Sequence, residues 1–180
     1  MRKKINQSNS VFIMVDIQEK FRHAIFQIDN VIQKANTLNK AAEILNIPLV
    51  VTKQYPKGLG DTMVDIYVPK HAVEFEKTRF SIFTPEFIDH IKALGPDHIV
   101  LYGIEAHVCM AQSALDGKAL GYNVLFVNDA ISSRKQTDKE IAVQRLVHHN
   151  VEMISMEMLL FEILEDAKHP QFKEISALVK

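Results

Sequence analysis

The chain has one cysteine, Cys109, and only six glycines among its 180 residues. A single thiol cannot form an internal disulfide, so the sequence excludes a disulfide-stabilised scaffold and predicts a reducing, cytoplasmic environment. Residues 16–20, which follow the first predicted strand, contain no glycine. The glycine-rich turn that binds a pyrophosphate is therefore missing, and the sequence predicts no dinucleotide cofactor.

Runs of one charge and long apolar runs are also missing. The formal net charge is −1 and no basic stretch alternates with aromatic residues, so we expect no nucleic-acid partner. No apolar run is long enough to span a membrane. The basic residues 1–4 precede polar residues, which excludes a secretory signal and predicts a flexible tail over residues 1–10. The length and a hydrophobic content of 47% suit one domain spanning residues 1–180.

Short β-rich runs alternate with amphipathic patterns, which indicates βαβ units and a parallel sheet. The predicted strands are 11–15, 49–52, a short run near 73, 98–102, 123–127 and 151–154. The predicted helices are 29–45, 84–95, 107–120, 137–148 and 155–167. Right-handed crossovers then predict an α/β fold, a three-layer α/β/α sandwich. Residues 53–70 lack a clear period and predict a loop that covers a pocket.

Three polar side chains lie at the ends of predicted strands. Asp16 ends the first strand, Lys77 follows the short third one, and Cys109 begins the helix after the fourth. Because the carboxyl ends of parallel strands meet at one edge, an acid, a cation and a thiol can converge there. The helix start and the lysine predict a thiolate at Cys109. Taken singly, each residue also has an ordinary structural role, since a lone cysteine is commonly a small buried hydrophobe.

Three segments of the sequence resemble a known family. Residues 15–18 (Val-Asp-Ile-Gln), 76–81 (Glu-Lys-Thr-Arg-Phe-Ser) and 103–109 (Gly-Ile-Glu-Ala-His-Val-Cys) resemble the signature segments of the isochorismatase-like cysteine hydrolases. Residues 18–23, 54–60 and 169–175 are similar to the isochorismatase domain-containing proteins, so the resemblance covers about residues 11 to 178. It implies a six-stranded parallel, Rossmann-like sheet in the order 3-2-1-4-5-6.

The resemblance also suggests a division of labour at the site. Cys109 is the nucleophile, Asp16 accepts its proton, and Lys77 stabilises the thiolate and orients the carboxylate. The resemblance implies a cis peptide between Ile104 and Glu105. That bond directs the N–H groups of Glu105 and Cys109 to one point, which predicts an oxyanion hole.

The predicted reaction is attack on the carbonyl carbon of a small amide, followed by hydrolysis of a thioester. The predicted substrate-binding residues are Gln18, Phe21, Tyr55, Phe80 and His107. His107 is about equally well explained as a polar residue of the first helical turn. The alternative function is a non-catalytic module that binds a small molecule or senses oxidants through its thiol.

The eight histidines do not form a metal-ligand spacing. Nicotinamidases of the same superfamily carry an aspartate and histidine cluster after the second strand, and residues 52–56 lack one, which predicts no metal site. Lys53 replaces a glutamate of similar proteins, so their substrate preference does not transfer. The family generally assembles, and the apolar residues 153–161 likewise predict a homo-oligomer, a dimer or larger.

Overall fold

A computed structural model describes residues 3–180, so Met1 and Arg2 of the predicted tail lie outside the described residues. For residues 3–10 the prediction of a flexible tail is wrong. Ile5 is fully buried in the core, and Lys3 Nζ lies 3.0 Å from a carboxylate oxygen of Asp97. The first strand begins at Ser10. The apolar side chain of Ile5 therefore holds this polar segment against the domain.

The described residues form six strands and seven helices. The strands are β1 (Ser10–Val15), β2 (Leu49–Gln54), β3 (Val73–Lys77), β4 (His98–Gly103), β5 (Asn123–Ile131) and β6 (Glu152–Ile154). The helices are α1 (Ile28–Ile44), α2 (Pro56–Leu59), α3 (Pro85–Leu94), α4 (Ala111–Ala119), α5 (Gln136–His148), α6 (Met156–Leu164) and α7 (Phe172–Leu178). A 3-10 turn (Glu19–Phe21) follows β1, and a π-helical turn (Ala106–Met110) leads into α4.

All six predicted strands and all five predicted helices are present, with small shifts at their ends. The 3-10 turn, α2 and α7 were not predicted from the sequence. Each of these elements is at most seven residues long and buries at most one side chain, Ile175 in α7. Such short elements carry no amphipathic stripe, so periodicity cannot reveal them.

The sheet is all parallel in the order β3-β2-β1-β4-β5-β6, which confirms the predicted topology. β1 is buried on both faces: Phe12 and Met14 pack with α1, α6 and α7, whereas Val11, Ile13 and Val15 pack with α3, α4 and α5. This alternation makes the three-layer α/β/α sandwich. Within residues 3–180, none of the helices has the length and apolar character that a membrane crossing needs.

The ends of β1 and β4 approach each other unusually closely. Val15 is in register with Gly103 on β4 and with Thr52 on β2. Gly103 has a φ of 123°, and a Cβ at this position would overlap the backbone of Val15. Only glycine fits here, so the end of β1 and the residue after it are tightly placed against β4.

Candidate active site

Asp16 is the first residue after β1 and carries the buried carboxylate of the site. Its φ is 52°, a left-handed conformation that costs a non-glycine residue on the order of 1–3 kcal/mol and is found mainly where surroundings enforce it. Thr52 Oγ1 donates to Oδ1 at 2.7 Å, and Lys77 Nζ donates to Oδ2 at 2.7 Å. The carboxylate is therefore fixed by the ends of two neighbouring strands.

Lys77 ends β3 and is as buried as its partner. The side chains of Lys77 and Asp16 are 2% and 1% exposed, so they form an ion pair out of water. The ammonium also donates to Gln54 Oε1 at 2.7 Å and to the carbonyl of Phe80 at 3.1 Å. A longer contact of 3.4 Å reaches the carbonyl of Arg79, so the ammonium is surrounded by acceptors. The sequence analysis correctly predicted that Asp16 and Lys77 lie close together.

Gln54 is a residue of the site that the sequence analysis missed. Its Oε1 accepts from Lys77, and its Nε2 donates to the carbonyl of Thr78 at 2.7 Å. Gln18 in turn holds the Gln54 backbone, with contacts of 2.8 Å to its N–H and 3.0 Å to its carbonyl. The signal was available, because Gln54 ends β2 and lies in register with Lys77 on β3.

Cys109 lies in the π-helical turn between β4 and α4. In this turn the N–H of Met110 reaches back five residues to the carbonyl of Glu105, at 3.2 Å. The cysteine is 6% exposed and lines the same cavity as Asp16. The thiol and the carboxylate thus share one small space.

The structure corrects the predicted ionisation of Cys109. Burial raises the pKa of the thiol to about 12, and the nearby Asp16 carboxylate adds to this rise while Lys77 opposes it. The thiol is therefore protonated at neutral pH, and the expectation that its position favours thiolate is wrong. Lys77 lowers the pKa through its charge and a hydrogen bond to the thiol, but the loss of water on burial has the larger effect.

The segment between β4 and Cys109 also contributes Glu105. The peptide bond between Ile104 and Glu105 is cis. The Glu105 residue is 7% exposed, and its Oε2 accepts from the backbone N–H and from Nε of Arg134, at 3.1 and 3.0 Å. A second acidic residue, paired with an arginine, therefore lines the cavity together with Cys109.

These side chains surround a cavity of about 110 Å³ at the carboxyl ends of the strands. Its lining consists of four polar residues, Asp16, Gln54, Glu105 and Cys109, and five apolar ones, Phe21, Leu59, Phe80, Ile104 and Val108. Cavities of 360 to 460 Å³ lie elsewhere on the surface, and none of them is lined by a cysteine. Chemistry rather than size therefore identifies the candidate site.

Two of the five predicted substrate-binding residues, Phe21 and Phe80, line this cavity. Gln18, Tyr55 and His107 are not part of its lining within residues 3–180. The Gln18 side chain is fully buried and binds the backbone of Gln54 and Gly60. Tyr55 lines a neighbouring cleft, and His107 Nδ1 lies 2.9 Å from Ser133 Oγ.

The loop predicted to cover the pocket does border it. Residues 53–70 begin with the end of β2 and include α2, and Leu59 at the end of α2 lines the cavity. The loop is attached on its inner side, because Gln18 Nε2 donates to the carbonyl of Gly60 at 2.7 Å and Met63 N–H donates to the carbonyl of Ile17 at 3.0 Å. The loop therefore forms one wall of the site.

No group of three or more His, Cys, Asp or Glu side chains suited to a metal ion occurs among residues 3–180.

Comparison with known proteins identifies the family to which this fold and site belong. The sequence model of the isochorismatase domain matches residues 10–158. Isochorismatase domain-containing protein 2 of Danio rerio is 42% identical, over 98% of this chain and 89% of its own length. The structure of the MAR1 ribonuclease of Caenorhabditis elegans superposes with a TM-score of 0.94 at 36% identity, covering 98% of this chain and 92% of that one.

A more distant structure, the Escherichia coli YcaC protein, is described as an octameric hydrolase of unknown specificity. It superposes with a TM-score of 0.87 at 18% identity, covering 97% of this chain and 88% of that one, and so supports the fold alone. Together the six-stranded sheet and the matches define an isochorismatase-type hydrolase fold. The chain belongs to the isochorismatase family.

Proposed function

We propose that this chain is a cysteine hydrolase that cleaves the C–N bond of a small amide through a thioester intermediate. The observation that carries the proposal is the shared cavity of the Cys109 thiol and the Asp16 carboxylate, with Lys77 bound to that carboxylate at 2.7 Å. A buried ion pair is costly to form and does not by itself favour stability. Its position beside the thiol supports a catalytic use.

The first half-reaction begins from a protonated thiol. As the Cys109 sulfur attacks the carbonyl carbon, Asp16 accepts the thiol proton, and the carbonyl oxygen gains negative charge. The N–H groups of Glu105 and Cys109 bind this oxyanion. The C–N bond then breaks, Asp16 returns the proton to the leaving nitrogen, and a thioester on Cys109 remains.

The second half-reaction uses the same carboxylate. Asp16 accepts a proton from a water molecule as the water oxygen attacks the thioester carbon. The C–S bond breaks, the carboxylic acid leaves, and the proton returns to the Cys109 sulfur. Lys77 holds the carboxylate in position for both proton transfers through its 2.7 Å contact with Oδ2.

The cavity supports a small substrate with an apolar part. Its volume of about 110 Å³ is well below the ~300–1,000 Å³ of sites for drug-sized ligands. Five of its nine lining residues are apolar, with Phe21 and Phe80 as the aromatic walls. A compact amide with a short aliphatic or small planar acyl group suits these dimensions.

One relative suggests a different activity, since the C. elegans protein is called a ribonuclease. RNA cleavage is therefore the second candidate. Two observations oppose it: the cavity is lined by the acidic residues Asp16 and Glu105, and the formal net charge of the chain is −1. Binding to a phosphate backbone depends on positive charge.

The experiment is a screen for turnover with two substrate classes. Wild type and Cys109→Ala are incubated with a panel of small primary amides, with ammonia release as the readout, and separately with labelled single-stranded RNA. We expect ammonia release and a transient acyl adduct by intact mass in wild type only. RNA cleavage that Cys109→Ala abolishes, without ammonia release, would favour the ribonuclease. Binding without turnover in both proteins would favour the non-catalytic module.

We also propose that the chain assembles into a homo-oligomer through the outer face of α6. Met158 on this face is 61% exposed, and the partly exposed Phe161 contacts the ring of Phe172, with the ring centroids 6.1 Å apart. Light scattering should give at least twice the chain mass of 20.5 kDa, and Met158→Glu should lower it. A mass of one chain across micromolar concentrations would contradict assembly.

A further inference from the structure

Nearly every polar side-chain atom around the cavity already has a partner in the protein. The oxygens of Asp16 are bound by Thr52 and Lys77. The amide oxygen of Gln54 accepts from Lys77, and its NH₂ group donates to the carbonyl of Thr78. Apart from the nucleophilic sulfur, these groups serve the protein's own structure. Few polar side-chain atoms of the cavity are therefore available to form a hydrogen bond with a substrate.

Glu105 is different. Its Oε2 receives both hydrogen bonds from Arg134, whereas Oε1 receives none from residues 3–180. The residue lines the cavity and is only 7% exposed. Oε1 is open to water in the free protein, so water supplies its hydrogen bonds there. The five apolar side chains of the cavity wall supply no donor, so a substrate that displaces this water has to offer one.

We propose that the Glu105 carboxylate is a specificity-determining group that accepts a hydrogen bond from an N–H of the substrate. The site then takes small neutral or cationic molecules with an N–H group, such as primary carboxamides and ureido compounds, and rejects carboxylates. This assignment rests on the proposed function, since it concerns the substrate of the same cavity. This side-chain role is separate from the proposed binding of the oxyanion by the backbone N–H of Glu105, which a change of the side chain leaves in place.

The rejection of anions follows from the charges around the cavity. Asp16 and Glu105 both line it. The cation of Asp16 is a buried lysine, whereas the side chain of Arg134 is 59% exposed and its charge is therefore screened by water. Glu105 keeps more of its negative field inside the cavity as a result. A substrate carboxylate would meet this field without a compensating donor.

The test uses alkylation of Cys109 by three probes that share one reaction. Iodoacetamide is neutral with N–H donors, methyl iodoacetate is neutral without them, and iodoacetate is an anion. In each case the sulfur displaces iodide, forming an S–C bond as the C–I bond breaks, and the thiol proton passes to solvent. Rates are measured by intact mass and divided by the rate of glutathione with the same probe, which removes intrinsic reactivity.

For wild type we expect iodoacetamide to react fastest and iodoacetate slowest, with at least about a tenfold difference between these two normalised rates. Glu105→Gln should reduce the discrimination against iodoacetate several-fold, and Glu105→Ala should also remove the preference for iodoacetamide over the ester. Glu157→Gln, an equal charge change on the exposed surface of α6, is the matched control and should change neither ratio. Arg134→Ala should increase the discrimination against iodoacetate.

Two results overturn the proposal. Equal normalised rates for iodoacetamide and methyl iodoacetate in wild type would exclude recognition of an N–H. Equal rates for the ester and iodoacetate, or a ratio unchanged in Glu105→Gln, would exclude a selecting role for the carboxylate. The comparison of iodoacetamide with the ester and of the ester with iodoacetate both use wild type alone. The proposal can therefore be tested even if a Glu105 variant folds poorly. Alkylation needs no turnover, so failure of the proposed hydrolase activity would be seen separately.

Discussion

Two neighbouring strands of this sheet each contribute a lysine bound to carboxylates, in opposite environments. Lys77, at the end of β3, meets Asp16 where both side chains are nearly inaccessible to water. Lys53, on β2, pairs with Glu74 at 2.6 Å and with Asp61 at 3.3 Å, where the Asp61 side chain is 84% exposed. Both lysines form short ion pairs, but only the first pair borders the thiol.

The difference shows which contacts stabilise the fold and which serve chemistry. Exposed ion pairs contribute on the order of 0–1 kcal/mol, because water and salt screen them. A buried pair gains little over apolar packing, although removal of one partner is strongly destabilising. The Lys53–Asp61 pair attaches the loop that carries Leu59, whereas the Lys77 pair holds a charged base beside Cys109. Substitutions at the two lysines should therefore have very different effects.

The largest effect is expected for Lys77→Met. It leaves the Asp16 carboxylate buried without its cation, so we expect a loss of about 3–5 kcal/mol in the free energy of unfolding and no detectable amide turnover. Denaturant unfolding measures the first effect. The double variant Asp16→Asn, Lys77→Met should regain much of the lost stability but none of the activity. If the stability losses of the two single variants simply add in the double variant, the result would contradict coupling of the pair.

Asp16→Asn should separate reactivity from turnover. Without the carboxylate the thiol keeps the favourable field of Lys77, so its pKa falls and alkylation at neutral pH becomes faster. Hydrolysis is nevertheless lost, because no group accepts and returns the proton. Parallel assays of iodoacetamide alkylation and ammonia release measure the two effects. Retained turnover in this variant would remove Asp16 from the mechanism.

The smallest effect is expected for Lys53→Gln. Its ion pairs are partly or largely in water, so unfolding should change by no more than about 1 kcal/mol, less at high salt. Alkylation of Cys109 should be unchanged, since Lys53 does not line the cavity. Denaturant unfolding at low and high salt tests this. A loss comparable to that of Lys77→Met would show that burial does not explain the contrast.

The parallel sheet and the convergence of Asp16, Lys77 and Cys109 could be predicted from sequence patterns, whereas the strand order came from the resemblance to a known family. Alternating patterns and polar strand ends depend only on local sequence and on the rule that parallel strand ends meet. Gln54 was missed because the second strand was predicted to end at residue 52, two residues too early. The free oxygen of Glu105 could not be found this way, because it depends on which partner each atom meets in three dimensions. The protonated state of Cys109 depends on burial, which a strand-end position does not reveal.

The central claim is that burial and the field of Asp16 keep the thiol of Cys109 protonated at neutral pH, so that the sulfur gives up its proton only as it attacks the substrate. The most direct measurement is the rate of iodoacetamide alkylation against pH for wild type and Asp16→Asn. For wild type, with the thiol pKa raised to about 12, the rate should still rise through pH 10, and the Asp16→Asn curve should move to lower pH. A wild-type plateau near neutral pH, or identical curves for the two proteins, would contradict the claim.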